Sequence, residues 1–308
     1  MEQTTSPKAL YWFLGLTFAL SWGLAGIFIL LFPDKDKTPF TIMAVLFMFM
    51  PLISVLITEK LIMKRKSLRS LAVNFQPNWW YLAAWPGMIA ISFISLGVNI
   101  LWPGISFTPD MSGLSERMAG QLTPEQIEVM KAQMEMLPIP YFWVVLGQML
   151  VFGITINALA GFGEELGWRG FLVKEYRHLT FADASLRIGI IWGIWHAPII
   201  LMGHNYPQHP VIGVGMMVIW CMLLSPLFLY IRIKTHSVIG ASIFHGTLNA
   251  SAGLSVMYIA GGNDITSGIT GYPGFVALAL VIAIMVIYDR GFSRKPVTNC
   301  TLLEGSKK

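Results

Sequence analysis

The stretch that decides the fold is PVIGVGMMVIWCMLLSPLFLYIR, residues 210–232, in which Arg232 is the only charged residue. A helix needs roughly 20 apolar residues to cross a hydrocarbon core of about 30 Å. Because no soluble helix requires such a continuous apolar surface, we predict that residues 210–232 span a lipid bilayer.

The apolar character of this stretch extends through the whole chain. Of its 308 residues, 55% are hydrophobic and only 12% are charged, whereas about 25% charged residues is usual in soluble domains. We predict an all-α membrane protein with about eight transmembrane helices, at residues 9–32, 39–63, 79–102, 141–168, 184–203, 210–232, 237–260 and 271–289.

The positions of polar residues divide the chain into three parts. Residues 1–140 are predicted to form an N-terminal scaffold of three spans and an outer amphipathic segment. Residues 141–260 contain the candidate functional residues and form the core. Residues 261–308 comprise the last span and a tail.

Lysine and arginine occur in short clusters that all fall on one side of the predicted spans. By the positive-inside rule that side is cytoplasmic, so we expect a multi-pass protein of the cell membrane with both termini in the cytoplasm. The net charge of +5 is explained by helix orientation, and no nucleic-acid partner is predicted. The clusters are Lys64, Arg65, Lys66 and Arg69; Lys174, Arg177 and Arg187; Arg232 and Lys234; and Arg290, Arg294 and Lys295.

The outer connection 103–140 contains a helix-start signal. Thr123 is a suitable N-cap, Pro124 favours the first helical position, and Gln126 completes a capping box. We expect a helix from Pro124 that packs on the surface, in preference to one that lies on the membrane or covers a cavity.

Ionisable residues inside a membrane are costly and usually functional, and the first group is Gly163-Glu164-Glu165-Leu166-Gly167-Trp168-Arg169. On a helix, Glu165 and Arg169 lie four residues apart and can pair, while Glu164 points about 100° away. An unpaired Glu164 is suited to act as a general base. The alternative is that these charges only mark the end of the helix.

Two further polar groups lie in later apolar stretches. His196 stands alone, and His245 and Asn249 share one face of a helix. Each group by itself is also typical of a hydrogen-bonded core residue or of contacts between helices. Counted at about 1.5 Å per residue from Lys174, Arg187 and Lys234 of the cytoplasmic basic clusters, however, Glu164, His196 and His245 lie at similar depths of about 13 to 16 Å. The sequence therefore predicts a catalytic cavity in the cytoplasmic half, reached from the cytoplasm.

These four side chains match a hydrolytic reaction. Glu164 would take a proton from water, His196 would orient the water, and His245 and Asn249 would donate hydrogen bonds to the oxyanion. No cofactor is required by this scheme. The alternative is a zinc ion held by Glu164, His196 and His245, which form a plausible three-ligand set.

The order of three motifs resembles the CPBP family, which joins type II CAAX prenyl endopeptidases with bacteriocin-processing and self-immunity (Abi-like) proteins. The motifs are Glu-Glu-x-x-x-Arg at Glu164, Glu165 and Arg169; aromatic-x-x-x-His at Trp192 and His196; and His-x-x-x-Asn at His245 and Asn249.

The resemblance implies an eight-helix membrane fold with a conical cavity open to the cytosol. By this resemblance, Glu164 and His196 would activate the water molecule, and His245 and Asn249 would stabilise the oxyanion. Glu165 and Arg169 become supporting residues, and Trp192 stands where the family commonly has phenylalanine. Members have also been described as metalloproteases, so the zinc alternative remains with the resemblance.

The predicted function is therefore an intramembrane endopeptidase that acts on membrane-associated proteins or peptides, prenylated substrates among them. A second hypothesis is a non-catalytic member that serves as a bacteriocin immunity protein or membrane scaffold. A third, a transporter, is disfavoured because the sequence has no inverted repeat.

Overall fold

The structure is a computed structural model that describes residues 5–33, 37–118 and 123–305. Its regular elements are almost all helices. Among the described residues the strands are one short antiparallel pair, β1 (Ser106–Phe107) and β2 (Ile259–Ala260). The prediction of an all-α membrane fold is confirmed.

In the described residues of the first half of the chain there are six helices. A π-helical segment, Ile57–Ile62, continues the second of them, and a 3₁₀ turn follows at Arg69–Leu71. The helices are α1 (Pro7–Leu31), α2 (Lys37–Leu56), α3 (Trp80–Ala84), α4 (Pro86–Ile100), α5 (Ser112–Met118) and α6 (Pro124–Glu135).

The second half, described as far as residue 305, contains ten helices and holds all the candidate site residues. A second π-helical segment, Leu166–Leu172, continues α8. The helices are α7 (Tyr141–Ile154), α8 (Ile156–Glu165), α9 (Val173–Glu175), α10 (Phe181–Trp195), α11 (Ala197–Leu201), α12 (Pro210–Lys234), α13 (Val238–Ser251), α14 (Leu254–Met257), α15 (Tyr272–Gly291) and α16 (Leu302–Gly305).

Five helices of the described chain are long and apolar enough to cross a membrane, and the α7–α8 pair, bent by 43°, makes a sixth if counted as one span. The predicted spans 184–203 and 237–260 are each divided into shorter helices, α10 with α11 and α13 with α14. The count of eight spans is therefore not confirmed. The five are Pro7–Leu31, Thr38–Ile62, Trp80–Ile100, Pro210–Lys234 and Tyr272–Gly291.

The outside of the bundle is apolar, as a protein in contact with lipid requires. Leu30, Leu101 and Ile284 have relative exposures of 82%, 85% and 62%. Large exposed apolar surfaces are rare in soluble proteins and mark contact with a membrane or partner.

The predicted outer helix begins where its capping signal places it. Thr123 Oγ1 accepts a hydrogen bond from Gln126 N at 3.3 Å, and Gln126 Oε1 accepts one from Thr123 N at 2.9 Å. No residue of α6 is buried, which is typical of the surface helix expected from the sequence.

The basic residues gather at one end of the bundle, which we call the basic end. Lys174 Nζ donates to the buried Glu59 Oε1 at 2.8 Å, and Arg65 contacts the same oxygen at 2.5 Å. On the other side of this end, Lys234 Nζ lies 3.2 Å from Asp289 Oδ1.

Both ends of the described chain lie at the basic end. Ser6 N donates to Glu175 Oε2 at 2.7 Å, which fixes the start of α1 beside α9. Near the other terminus, Thr301 forms an isolated β-bridge with Thr180. The first and last parts of the described chain are thus on the same side of the bundle.

Glycine permits the closest approach between the core helices. A Cβ atom added to Gly246 in α13 would overlap the backbone of Ala158 in α8 and of Gly153 in α7. Helix backbones in membranes come this close only through small residues. This contact fixes the distance of α13, and so of His245, from α8.

We expect Gly246→Ala to destabilise the protein, because overpacking a tight contact costs about 1–3 kcal/mol. Thermal unfolding in detergent, followed by helical circular dichroism, measures this loss. Gly15→Ala in α1 is the matched control, since a Cβ there has no atom within 4 Å. Equal melting temperatures for the two variants would contradict the prediction.

Candidate active site

The Glu-Glu pair lies at the point where α8 passes into its π-helical continuation. Glu165 Oε1 accepts from Arg169 Nη1 at 3.1 Å, and both side chains are fully buried. The predicted pairing of residues four apart is confirmed. Arg169 is therefore committed to Glu165 and leaves Glu164 to other partners.

Arg169 is held between two aromatic rings from neighbouring helices. Its guanidinium carbon lies 4.5 Å from the ring centre of Trp192 in α10 and 4.4 Å from that of Phe228 in α12. A planar guanidinium stacks well on such rings. Arg169 thus joins the segment after α8 to α10 and α12, while Arg232 Nε donates to its carbonyl at 3.1 Å.

Glu164 has partners that the sequence did not reveal. Its Oε2 accepts from Trp192 Nε1 at 2.7 Å and from Trp168 Nε1 at 3.4 Å. The expectation of an unpaired carboxylate is corrected: two indole N–H groups orient Glu164, although neither neutralises its charge. Indole nitrogen is a donor only, so these bonds favour the carboxylate form.

His245 lies between the two glutamates. Its Nδ1 is 2.8 Å from Glu165 Oε1, and its Nε2 is 3.8 Å from Glu164 Oε1. A carboxylate accepts hydrogen bonds, which places a proton on Nδ1. Glu165 therefore orients the ring and turns Nε2 towards Glu164.

His196 occupies the break between α10 and α11, where Pro198 enters the first turn of the new helix. Its Nδ1 is 2.8 Å from the Trp192 carbonyl oxygen. Since a carbonyl only accepts, Nδ1 carries the proton and Nε2 of the neutral ring has a free lone pair. His196 is thus oriented as an acceptor.

Cys221 in α12 is close to this histidine. Its Sγ is 4.0 Å from His196 Nδ1. The sequence pattern did not include Cys221 among the candidate site residues. Because Nδ1 already donates to the Trp192 carbonyl, His196 is not oriented to deprotonate the thiol.

One cavity of about 310 Å³ brings together all four predicted catalytic residues. Glu164, His196, His245 and Asn249 line it, and Asn249 is exposed within this group. Trp192 contributes a wall, while Glu165 and Arg169 lie behind it. The full lining is Thr41, Ala44, Val45, Phe47, Met48, Glu164, Trp192, Trp195, His196, Ile199, His204, Asn205, Trp220, His245, Leu248, Asn249, Ala252 and Thr270.

The cavity extends away from the basic end. Three of its residues on α2, Thr41, Ala44 and Val45, precede the midpoint of that helix. Beyond α10, the lining continues through α11 into the connection at His204 and Asn205. Thr270, just before α15, lies on the same side. The predicted position in the half nearest the basic residues is not confirmed.

Several site residues were not identified from the sequence. Trp168 is four residues after Glu164, so helical spacing could have shown that it reaches the carboxylate. Trp195 and Trp220 occur in apolar helices where a tryptophan carries no distinctive signal. His204 and Asn205 lie in a connection without periodicity.

The zinc alternative does not fit the observed donors. Among the described residues, no three histidine, cysteine, aspartate or glutamate side chains form a group that could hold a metal ion. Glu164, His196 and His245 thus face one cavity without forming a ligand set.

We expect Glu165→Gln to destabilise the protein strongly. Loss of one partner from a buried ion pair leaves a buried charge and costs about 3–5 kcal/mol. Glutamine has nearly the same shape as glutamate, and its oxygen can still accept the hydrogen bond from His245 Nδ1. The substitution therefore removes mainly the negative charge. Thermal unfolding measures the effect.

The double variant Glu165→Gln/Arg169→Met is the matched control, because it removes both charges together. Its stability should lie closer to that of the wild type than the single variant does. A double variant that is as unstable as the sum of its two single variants would contradict the ion-pair interpretation.

Comparisons with known proteins show which family this chain is similar to. Residues 146–251 match the family described as type II CAAX prenyl endopeptidase Rce1-like. The chain is also similar to CAAX prenyl protease 2 of Methanococcus maripaludis, with 27% identity over 147 residues. That alignment covers 43% of this chain and 48% of the relative, so it spans about half the relative's length. The resemblance to the CPBP family is thereby confirmed, and residues 146–251 are the segment that carries it.

Proposed function

We propose that this chain is an intramembrane endopeptidase of the CAAX type, which hydrolyses a peptide bond with a water molecule activated by Glu164 and His196. The observation that best supports this function is the single cavity lined by Glu164, His196, His245 and Asn249. The similar protein from Methanococcus maripaludis is named a CAAX prenyl protease.

Glu164 acts as the general base. Its Oε2 is occupied by two indole donors, whereas Oε1 faces His245 at 3.8 Å. Arg169 neutralises Glu165 and not Glu164. Glu164 is therefore the carboxylate in the cavity that is able to accept a proton from water.

His196 orients the water. The bond from Nδ1 to the Trp192 carbonyl fixes the ring, and the lone pair on Nε2 accepts one hydrogen of the water. With the other hydrogen directed to Glu164, the oxygen lone pair is free to attack the substrate carbonyl.

His245 and Asn249 hold the oxyanion. Because His245 Nδ1–H is bonded to Glu165, its Nε2 donates only in the imidazolium form, whose charge then lies between Glu164 and Glu165. Asn249 is one helical turn further on and presents its amide to the same cavity. Donors directed at a developing oxyanion are worth several kcal/mol in a site that excludes water.

The proton that Glu164 takes from water completes the reaction. After hydroxide adds to the carbonyl, the carbon–nitrogen bond breaks and Glu164 returns this proton to the leaving amine. The products are a new carboxylic acid and a new amine, which become carboxylate and ammonium when the acid's proton passes to the amine, and the four side chains end as they began.

The substrate proposed is the membrane-anchored end of a protein or peptide, including a prenylated one. The enzyme is a multi-pass protein of the cell membrane with its basic end, and both termini, in the cytoplasm. A purely scaffolding or immunity role is less favoured, because it requires no oriented carboxylate beside a histidine.

The first experiment compares cleavage of farnesylated and unmodified C-terminal peptides by the purified protein in native lipid. We expect Glu164→Gln to lower the rate by about 10²–10⁴-fold, the usual contribution of a general base. The side-chain oxygen of glutamine still accepts a hydrogen bond from Trp192 Nε1, so the variant should still fold. A chelator should leave cleavage intact, since the donors form no metal-binding group.

Glu128→Gln is the matched control, because Glu128 is exposed on α6 outside the cavity. Its rate should equal that of the wild type. Unchanged cleavage by a folded Glu164→Gln protein would contradict the assignment of the base.

We expect Asn249→Ala to lower kcat by about 10²–10³-fold, the effect of removing one oxyanion donor, with little change in KM. The reason is that the amide bonds strongly only to the charged transition state. Gln148→Ala, an exposed amide on α7, is the control. A change confined to KM would assign Asn249 to substrate binding instead.

A further inference from the structure

A second cavity, which we call the basic cavity, lies at the basic end of the bundle, where the spans α12 and α15 both end. Its volume is about 430 Å³, and it shares no residue with the candidate active site. Its charged and titratable residues are Lys234, His236, Arg294 and Lys295, and the described residues that line it include no aspartate or glutamate. The basic cavity therefore matches the charge of an anion.

Hydrogen bonds fix the chain segment that carries two of these cations. Lys234 Nζ, at the end of α12, donates to Ser293 Oγ at 3.0 Å and to the Lys295 carbonyl oxygen at 2.6 Å. A little further on, the buried Asp289 accepts from Val297 N at 2.8 Å. The segment between these anchors is therefore held against the end of α12, and its side chains have a defined position at the cavity.

Two of the cations have no counter-ion. Arg294 and Lys295 are exposed, and within the described part of the chain neither side chain forms an ion pair. Lys234 differs from them, because its Nζ already lies 3.2 Å from Asp289 Oδ1. Arg294 and Lys295 are thus the charges that an anion in the cavity would neutralise.

His236 places an imidazole ring beside these charges. It follows the last turn of α12 in a left-handed conformation with φ of 54°, a helix-ending position that glycine or asparagine usually occupies. Partial burial and the charges of Arg232, Lys295 and Lys234 lower the pKa of His236 below its usual range. The ring is therefore neutral at pH 7, and its one N–H is available to an anion in a positive field.

Aromatic side chains surround the cations. Phe292 and Tyr288 have relative exposures of 74% and 43%, and the ring centre of Trp80 lies 6.0 Å from that of Tyr288. Aromatic residues at the ends of membrane spans are typical of the headgroup level, where tyrosine and tryptophan are enriched. The basic cavity thus combines positive charge with apolar surface at the depth of lipid phosphates.

We propose that the basic cavity binds the phosphate group of an anionic phospholipid. Arg294 and Lys295 neutralise the phosphate, His236 donates a hydrogen bond to it, and the aromatic rings contact the glycerol and the first methylene groups of the acyl chains. Basic pockets between transmembrane helices recognise acidic lipid headgroups in this way. Inorganic phosphate has the same charged group but no apolar part for Phe292 and Tyr288 to contact.

A bound lipid would join the ends of α12 and α15 and so stabilise the folded protein. This binding depends neither on the hydrolytic function proposed above nor on which face of the membrane holds the basic end. It is therefore measurable on the purified protein without any assay of cleavage.

Titration of the protein in neutral detergent with dioctanoyl phosphatidylglycerol tests the site. A ligand that binds only the folded state raises the melting temperature, and the concentration dependence gives its Kd. We expect stabilisation by phosphatidylglycerol and none by phosphatidylcholine of the same chain length. Equal stabilisation by phosphatidylcholine would overturn the selection of an anionic lipid, and equal stabilisation by inorganic phosphate would overturn the lipid as the source of the phosphate.

The variant Arg294→Gln/Lys295→Gln should bind phosphatidylglycerol about 30-fold more weakly, because each cation near a membrane surface contributes a factor of about five. Lys66→Gln/Arg69→Gln is the matched control, since it removes one lysine and one arginine from exposed positions of the basic end outside the cavity. Its Kd should equal that of the wild type. Equal losses in the two variants would reveal only non-specific attraction and overturn the site.

His236→Gly tests the imidazole separately from the fold. Glycine adopts the left-handed conformation without strain, so the melting temperature without lipid should not fall. Binding of phosphatidylglycerol should weaken about tenfold, the effect of losing one hydrogen bond to a charged group. An unchanged Kd in this variant would overturn the role of His236, and an unchanged Kd in Arg294→Gln/Lys295→Gln as well would overturn the whole proposal.

Discussion

The site depends above all on the contacts of one indole, that of Trp192. Its N–H donates to Glu164 at 2.7 Å, its ring covers Arg169, and its ring centre lies 5.9 Å from that of His196 and 5.7 Å from that of His245. A phenylalanine, common here in the family, retains the ring but has no donor. In this chain the side chain that walls the cavity also orients the carboxylate of Glu164.

Behind this wall, buried charges are arranged so that each has a defined partner. Glu165 contacts both Arg169 and His245 through the same oxygen, Oε1. Buried ion pairs contribute little net stability because of the cost of desolvation. Their value here is positional: the pairs fix the ring of His245 and leave Glu164 as the acid that faces the cavity.

Much of the site was predictable because helical spacing determines which side chains share a face. The Glu165–Arg169 pair followed from a separation of four residues, and the similar depths of Glu164, His196 and His245 followed from the rise per residue. The hydrogen bond from Trp192 to Glu164 was not predictable, since it joins α10 to α8 through tertiary packing. The breaks at Thr155 and His196 also escaped prediction, because continuous hydropathy does not reveal a bend.

The depth of the polar residues in the bundle and the side on which their cavity opens are different properties. The sequence predicts the first better than the second. Counting residues from the basic loops placed the polar layer near the middle of the bundle, but the same count is compatible with a cavity on either side of that layer. Packing decides between them: large side chains such as Trp168 and Phe171 fill the side near the basic end. On the other side, the bend between α7 and α8 turns α7 towards α4 and α14, and space remains beside α2. The direction of opening is therefore a consequence of side-chain volume, which charge patterns do not record.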